Sequence, residues 1–187
     1  HSTNPFSIIS GTSAGALNAV ALASTANNFR LGVRKVEKIW SQLHIDRVVE
    51  SGVGDILCNT LRLVASLFNS GVARNNPVAL LDNSPLRELL LHVISFKNIQ
   101  KRIDAGYLEA VAVSATSYAS GNSVAFFQGR DSLRHWRRNK RIGVRAELGI
   151  EHLLASSAIP GIFPAEKVGR QYFGDGSLRQ LSPLSPA

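Results

Sequence analysis

The sequence predicts an α/β fold, a sheet covered by helices, and three observations carry that expectation. Residues 6–10 (FSIIS) suit a short buried strand bounded by Pro5 and Gly11. They run through GTSAG directly into small apolar residues that suit a helix. Further along, residues 108–117 (LEAVAVSATS) alternate and then run apolar, and helical patterns stand on both sides of them.

The elements follow in order. Residues 14–26 are apolar nearly all round, with Asn18 the main interruption, which predicts a helix buried on all sides. Residues 31–43 are amphipathic, with Leu31, Val36, Ile39 and Leu43 among the apolar positions, and residues 54–68 repeat the pattern. The second of these helices is either core or the lining or lid of an acyl groove. Ser84-Pro85 reads as a capping hydroxyl with proline at the first helical position, opening a helix over 86–94. The strand at 108–117 turns at Ser120-Gly121-Asn122 into a hairpin partner at 123–128. A helix over 147–157 ends before Pro160, and Gly169-Arg170 joins short strands at 167–168 and 171–173.

The 187 residues suit a single domain over 1–187 with a substantial core. Because the chain starts at His1 and stops at Ala187 in mid-phrase, it is expected to be a segment of a longer polypeptide. Cys58 is the sole cysteine, so no internal disulfide can form and a reducing compartment is favoured, in the cytoplasm or at a membrane periphery. No apolar run reaches the roughly 18 residues of a membrane span. The net charge of +8 is concentrated in residues 130–145, where seven Arg/Lys face one Asp. No cluster of Cys and His suggests a metal or cofactor, and none is expected.

Gly11-Thr12-Ser13-Ala14-Gly15 is a G-x-S-x-G pattern at a strand-to-helix junction. Such a turn lifts a serine hydroxyl above the sheet edge on a strained backbone. Side chains at Gly11 and Gly15 are expected to collide with neighbouring backbone. The helix start aims free N–H groups at the same spot, so the Ala14 N–H can stabilise an oxyanion. The plainer alternative is a Gly/Ser turn capping a core helix. A serine also needs a base. Asp104 or Asp131 with His135 or His152 would make a triad, but none stands at a recognisable strand-end loop. Asp175 does, at the end of a short strand between Gly174 and Gly176, whose freedom suits either a positioned carboxylate or an ordinary Asp-Gly turn. In company with the serine motif the first alternative is preferred.

With these two stretches in view, the sequence resembles the patatin-like phospholipases, lipid acyl hydrolases with a Ser-Asp dyad. Gly11–Gly15 is similar to the family's nucleophile elbow, with Ser13 as nucleophile, and 174–177 to its Asp-Gly-Ala/Gly motif, with Asp175 as base. The intervening ASSAIPGIFPAEKVGRQYFGDGS is similar to the bacterial members' approach to that aspartate. The resemblance implies a three-layer α/β/α fold with a mainly parallel sheet, here without its first strand. It also implies hydrolysis of phospholipid or other fatty-acyl esters through an acyl-serine, in the manner of a phospholipase A or lysophospholipase. Ser177 replaces the usual Ala or Gly, a change expected to be tolerated. The family's upstream glycine-rich oxyanion loop has no counterpart in residues 1–10, so the activity is expected of the longer parent.

Residues 134–141 (RHWRRNKR) carry Arg134, Trp136, Arg137, Arg138, Lys140 and Arg141. They suit peripheral contact with anionic lipid head groups, or simply a solvated face. Two other functions compete with the dyad hydrolase: a His-dependent esterase of the α/β-hydrolase kind, and a non-catalytic module binding lipid or nucleic acid, although no nucleic acid is expected as a partner.

Overall fold

The computed structural model describes residues 4–42 and 82–179. The helix expected over 54–68, the end of the one over 31–43, and Cys58 lie outside them. The described chain runs β1 (Ile8–Thr12), α1 (Ala14–Ser24), α2 (Phe29–Gln42), α3 (Ser84–Val93), α4 (Lys97–Asp104), β2 (Ala110–Ser117) and β3 (Ser123–Gly129). It continues through β4 (Trp136–Arg138), β5 (Arg141–Arg145), α5 (Ile150–Ser157), β6 (Glu166–Val168) and β7 (Gln171–Asp175), and then a single 3₁₀ turn at Gly176–Leu178. Strands and helices interleave around a central sheet, as an α/β fold requires.

The sheet has seven strands, in the order β4-β5-β3-β2-β7-β6, with β1 also paired to β2. Its pairing is mixed. β1 and β5 lie parallel to β2 and β3, whereas β2·β3, β2·β7, β4·β5 and β6·β7 are antiparallel. The expectation of a mainly parallel sheet is narrowed accordingly: three of the antiparallel pairs are hairpins, and a short turn can join only antiparallel neighbours.

On β2 two strands share one edge. β1 pairs with Ala110 to Ser114 in parallel, and β7 pairs with Ala115 to Ser117 in antiparallel. The two therefore run towards each other and end side by side, Thr12 opposite Ser114 and Asp175 opposite Ala115. Because cross-strand partners point to one face, Gly11, Val113, Phe126, Ala115 and Asp175 share a face. α1 and α5 lie on it. α1 is buried all round, through Ala16, Leu17, Ala19, Val20, Ala21 and Ala23. α2 packs on α1 through Ile39 and Gly32, which lies against Leu22 and Thr25. Leu31, expected inside, is 44% exposed, because the buried stripe of α2 is narrower than its apolar pattern. The cap of α3 is Asn83, one residue before the expected Ser84, so Pro85 falls at the second position and Asp82 holds the Ser84 hydroxyl.

α5 packs its His152 edge-on against Phe126, with ring centroids 4.8 Å apart, and Phe126 in turn meets Phe173. His152 Nδ1 accepts the Gly149 N–H at 3.0 Å, which leaves the proton of the neutral ring on Nε2. Burial pushes this imidazole below its usual range, partly opposed by the Glu151 carboxylate. The folded protein thus binds the extra proton less readily than the unfolded chain, whose histidine titrates near pH ~6.5. Stability should fall as pH drops from about 7 towards 5, and His152→Gln should reduce that slope, as measured by urea midpoints across the range.

Candidate active site

The turn between β1 and α1 puts Ser13 at φ 53° and ψ −128°, a left-handed backbone that only Lys140 shares among the described non-glycine residues. Such a conformation costs about 1–3 kcal/mol and persists only where neighbours hold it. They do so here. The Ser13 N–H donates to Ser156 Oγ at 2.9 Å, and Ser156 Oγ–H donates onward to the Ser114 carbonyl at 2.6 Å. The Ser13 carbonyl accepts the Ala16 N–H at 2.9 Å.

The Ser13 side chain makes no cap for α1. Its Oγ–H donates instead to Asp175 Oδ2 at 2.6 Å, across 162 residues of chain. Asp175 is 2% exposed, the one buried carboxylate among the described residues. Burying a charge without partners is costly, and this one has three donors. Besides Ser13, the Ser177 N–H donates to Oδ1 at 2.7 Å, and the Ser177 hydroxyl donates to the same oxygen. The Asp175 N–H donates to the Ala158 carbonyl at 2.8 Å, and Thr116 Oγ1–H donates to the Asp175 carbonyl. Ser177, expected only to be tolerated, is thus a partner of the carboxylate.

The glycines divide by role. A Cβ on Gly11 would run into the Gly15 carbonyl and Ala16 nitrogen, as the turn requires. Gly15 is different: nothing among the described residues lies within 4 Å of where its Cβ would be. The expected collision there is corrected: among the described residues the place of a Gly15 side chain is open. Gly174 and Gly176 do not use left-handed freedom. They are close approaches instead, Gly174 to the Tyr118 ring and Gly176 to the Ser114 carbonyl and Thr12. Ala14 is exposed at the first position of α1. The first N–H groups of a helix have no partner within it, and the Ser13 N–H is taken by Ser156. Since the Ala16 N–H is taken by the Ser13 carbonyl, an anion beside Ser13 would meet the amides of Ala14 and Gly15.

The expected histidines stand elsewhere. His135 Nδ1 accepts the Arg145 N–H, and His152 faces the core. Asp131 pairs with Arg145 at 2.7 Å, and Asp104 accepts from Gln100. His1 and His44 lie outside the described residues. The basic run forms the β4–β5 hairpin. Trp136 lies over Gly143, Arg138 stacks on Trp136 at 5.9 Å, and Arg145 holds the Gly129, Arg130 and Leu133 carbonyls.

Against this geometry, the family model of the patatin-like phospholipases matches residues 2–187. The chain belongs to the patatin-like phospholipase family. It is thereby a member of a family of lipid acyl hydrolases, which act on lipid esters. No curated protein matches it. No helix among its described residues is long and apolar enough to cross a membrane.

Ser156 was not singled out from the sequence. The available signal was a pair of serines, Ser156-Ser157, directly after the apolar Leu153-Leu154-Ala155. Fully buried, Ser156 satisfies one donor on the Ser13 turn and one acceptor on β2. Ser156→Ala should cost about 1–3 kcal/mol by leaving both unpaired, whereas Ser156→Thr, which keeps the hydroxyl, should recover most of it. Urea unfolding of the two variants checks this.

Proposed function

We propose that this patatin-like protein is a serine lipid acyl hydrolase of phospholipase A or lysophospholipase type, working through a Ser13–Asp175 dyad. The single observation that supports it most is the 2.6 Å hydrogen bond from Ser13 Oγ to Asp175 Oδ2 at the start of a helix. In the forward step Asp175 Oδ2 takes the Ser13 proton as Oγ bonds to the acyl carbon. The carbonyl electrons move to oxygen, and the Ala14 N–H holds the developing charge. Collapse breaks the ester bond, and the alcohol or lysolipid leaves with the proton from Asp175. Water then attacks the acyl-serine, giving up a proton to Asp175, and releases the fatty acid as Ser13 recovers its hydrogen.

The other partners fit these tasks. The two Ser177 donors fix Oδ1, which leaves Oδ2 turned to the serine. The open space at Gly15 gives an acyl group room to approach. A His-dependent esterase would need an imidazole on Ser13, and of the described histidines none, His92, His135 or His152, makes a hydrogen bond to it.

A fluorophosphonate probe should label Ser13. Ser13→Ala should lose both labelling and hydrolysis of a fatty-acyl ester by at least about 10³-fold. Asp175→Asn should lose hydrolysis comparably while staying folded by circular dichroism, and His135→Ala should retain it. Hydrolysis surviving in folded Ser13→Ala would end the proposal, and its loss in folded His135→Ala would favour a triad.

A further inference from the structure

The strand register sorts the surface charge by end. β1 and β2 point to the same end of the sheet, and β2 overruns Ser114, the partner of Thr12, by three residues. That places Thr12, the residue before Ser13, about 10 Å behind the end of the strand. Three hairpin turns project there: 118–122 between β2 and β3, 139–140 between β4 and β5, and 169–170 between β6 and β7. Two hydrogen bonds tie them together, Ser123 N–H to the Lys140 carbonyl and Tyr118 N–H to the Tyr172 carbonyl.

These turns and their neighbours carry exposed Arg138, Lys140, Lys167 and Arg170, and the Arg179 guanidinium approaches Gly121. None of the five pairs with a carboxylate among the described residues. Tyr118 and Tyr172 stand among them, 48% and 52% exposed. Exposed Asp104, Glu109, Asp131 and Glu147 sit at the opposite end, at or beyond the start of β2 and the ends of β3 and β5, while exposed Glu37, Asp82 and Glu88 lie on or beside α2 and α3. The basic run is split by the same register. Arg130 and Arg145 are tied to Glu109 and Asp131 at the acidic end, while Arg138 and Lys140 reach the other.

We propose that the three basic turns form a docking surface for an anionic lipid bilayer, with the cations on lipid phosphates and the two tyrosines at the interface. The choice of a bilayer rests on the lipid-ester substrates of the family, and the surface lies at the end to which the strand before Ser13 points. Once docked, the protein would hold Ser13 close to the lipids on which the proposed hydrolase acts.

Vesicles of phosphatidylcholine with about one quarter phosphatidylglycerol test this, using Ser13→Ala so that the lipid is not consumed. Binding should be strong on these vesicles, at least about tenfold weaker on pure phosphatidylcholine, and reduced by salt. Each cation near the surface contributes about fivefold, so Lys140→Gln with Arg170→Gln should weaken binding about 25-fold. Lys101→Gln with Arg130→Gln removes the same charge from the other end and should change it by less than about threefold. Equal loss in the two pairs, absence of binding, or binding to single-stranded RNA that the anionic vesicles do not displace would overturn the docking surface. Probe labelling of Ser13 in the unsubstituted protein separates the two proposals. Labelling without vesicle binding removes only the surface, and vesicle binding without labelling removes only the hydrolase.

Discussion

The structure depends on one shared edge. β2 offers the same side to β1 over its first five residues and to β7 over its last three. Since one partner is parallel and the other antiparallel, their C-terminal ends must converge. The separation of Ser13 and Asp175 along the chain is large, but along β2 it shrinks to the step from Ser114 to Ala115. Register also chooses the face. A slip of one residue in β7 would turn the Asp175 side chain to the far side of the sheet, away from the start of α1. The pair is thus positioned by backbone hydrogen bonding, the most strongly specified feature of a buried sheet.

The last turn of α5 locks the junction. It reaches the serine turn through Ser156, β2 through the same hydroxyl, and β7 through the Ala158 carbonyl. Three segments distant in sequence are bound within one helical turn. The strain at Ser13 can persist because the amide that would relax it is held at one end and the hydroxyl at the other. Gly11 and Gly176 belong to the same logic, since a methyl group at either would push α1 or the turn after β7 out of the junction.

Much of this was legible in the sequence, and the gaps have physical reasons. The serine motif, Asp175, the apolar α1 and the β2–β3 hairpin are written in short-range patterns: glycine spacing, unbroken apolar runs and turn residues. The first strand lies two residues later than its apolar run, because Gly11 and Thr12 look like turn residues yet still pair with Val113 and Ser114. α4 carries little sequence signal because only Ile99 and Ile103 are buried in an otherwise polar segment. β4 and β5 were hidden by their arginines, which read as a solvated run. The roles of Gly15, Gly174 and Ser156 are set by what lies opposite them in space, and no local pattern encodes that.

The hidden strands also show how one set of charges can serve two ends. β4 closes one side of the sheet, and an edge with unpaired backbone groups invites pairing with another chain unless charge guards it. Arg137 on this strand does that whatever the protein binds. Arg145, one strand in, spends its guanidinium on three carbonyls and Asp131, holding the loop that leads into β4. Sequence position alone would count all of these as a single basic patch. Register assigns them separately, to edge protection, to loop anchoring and to the basic end, and only the last group leaves charge facing outward near Ser13.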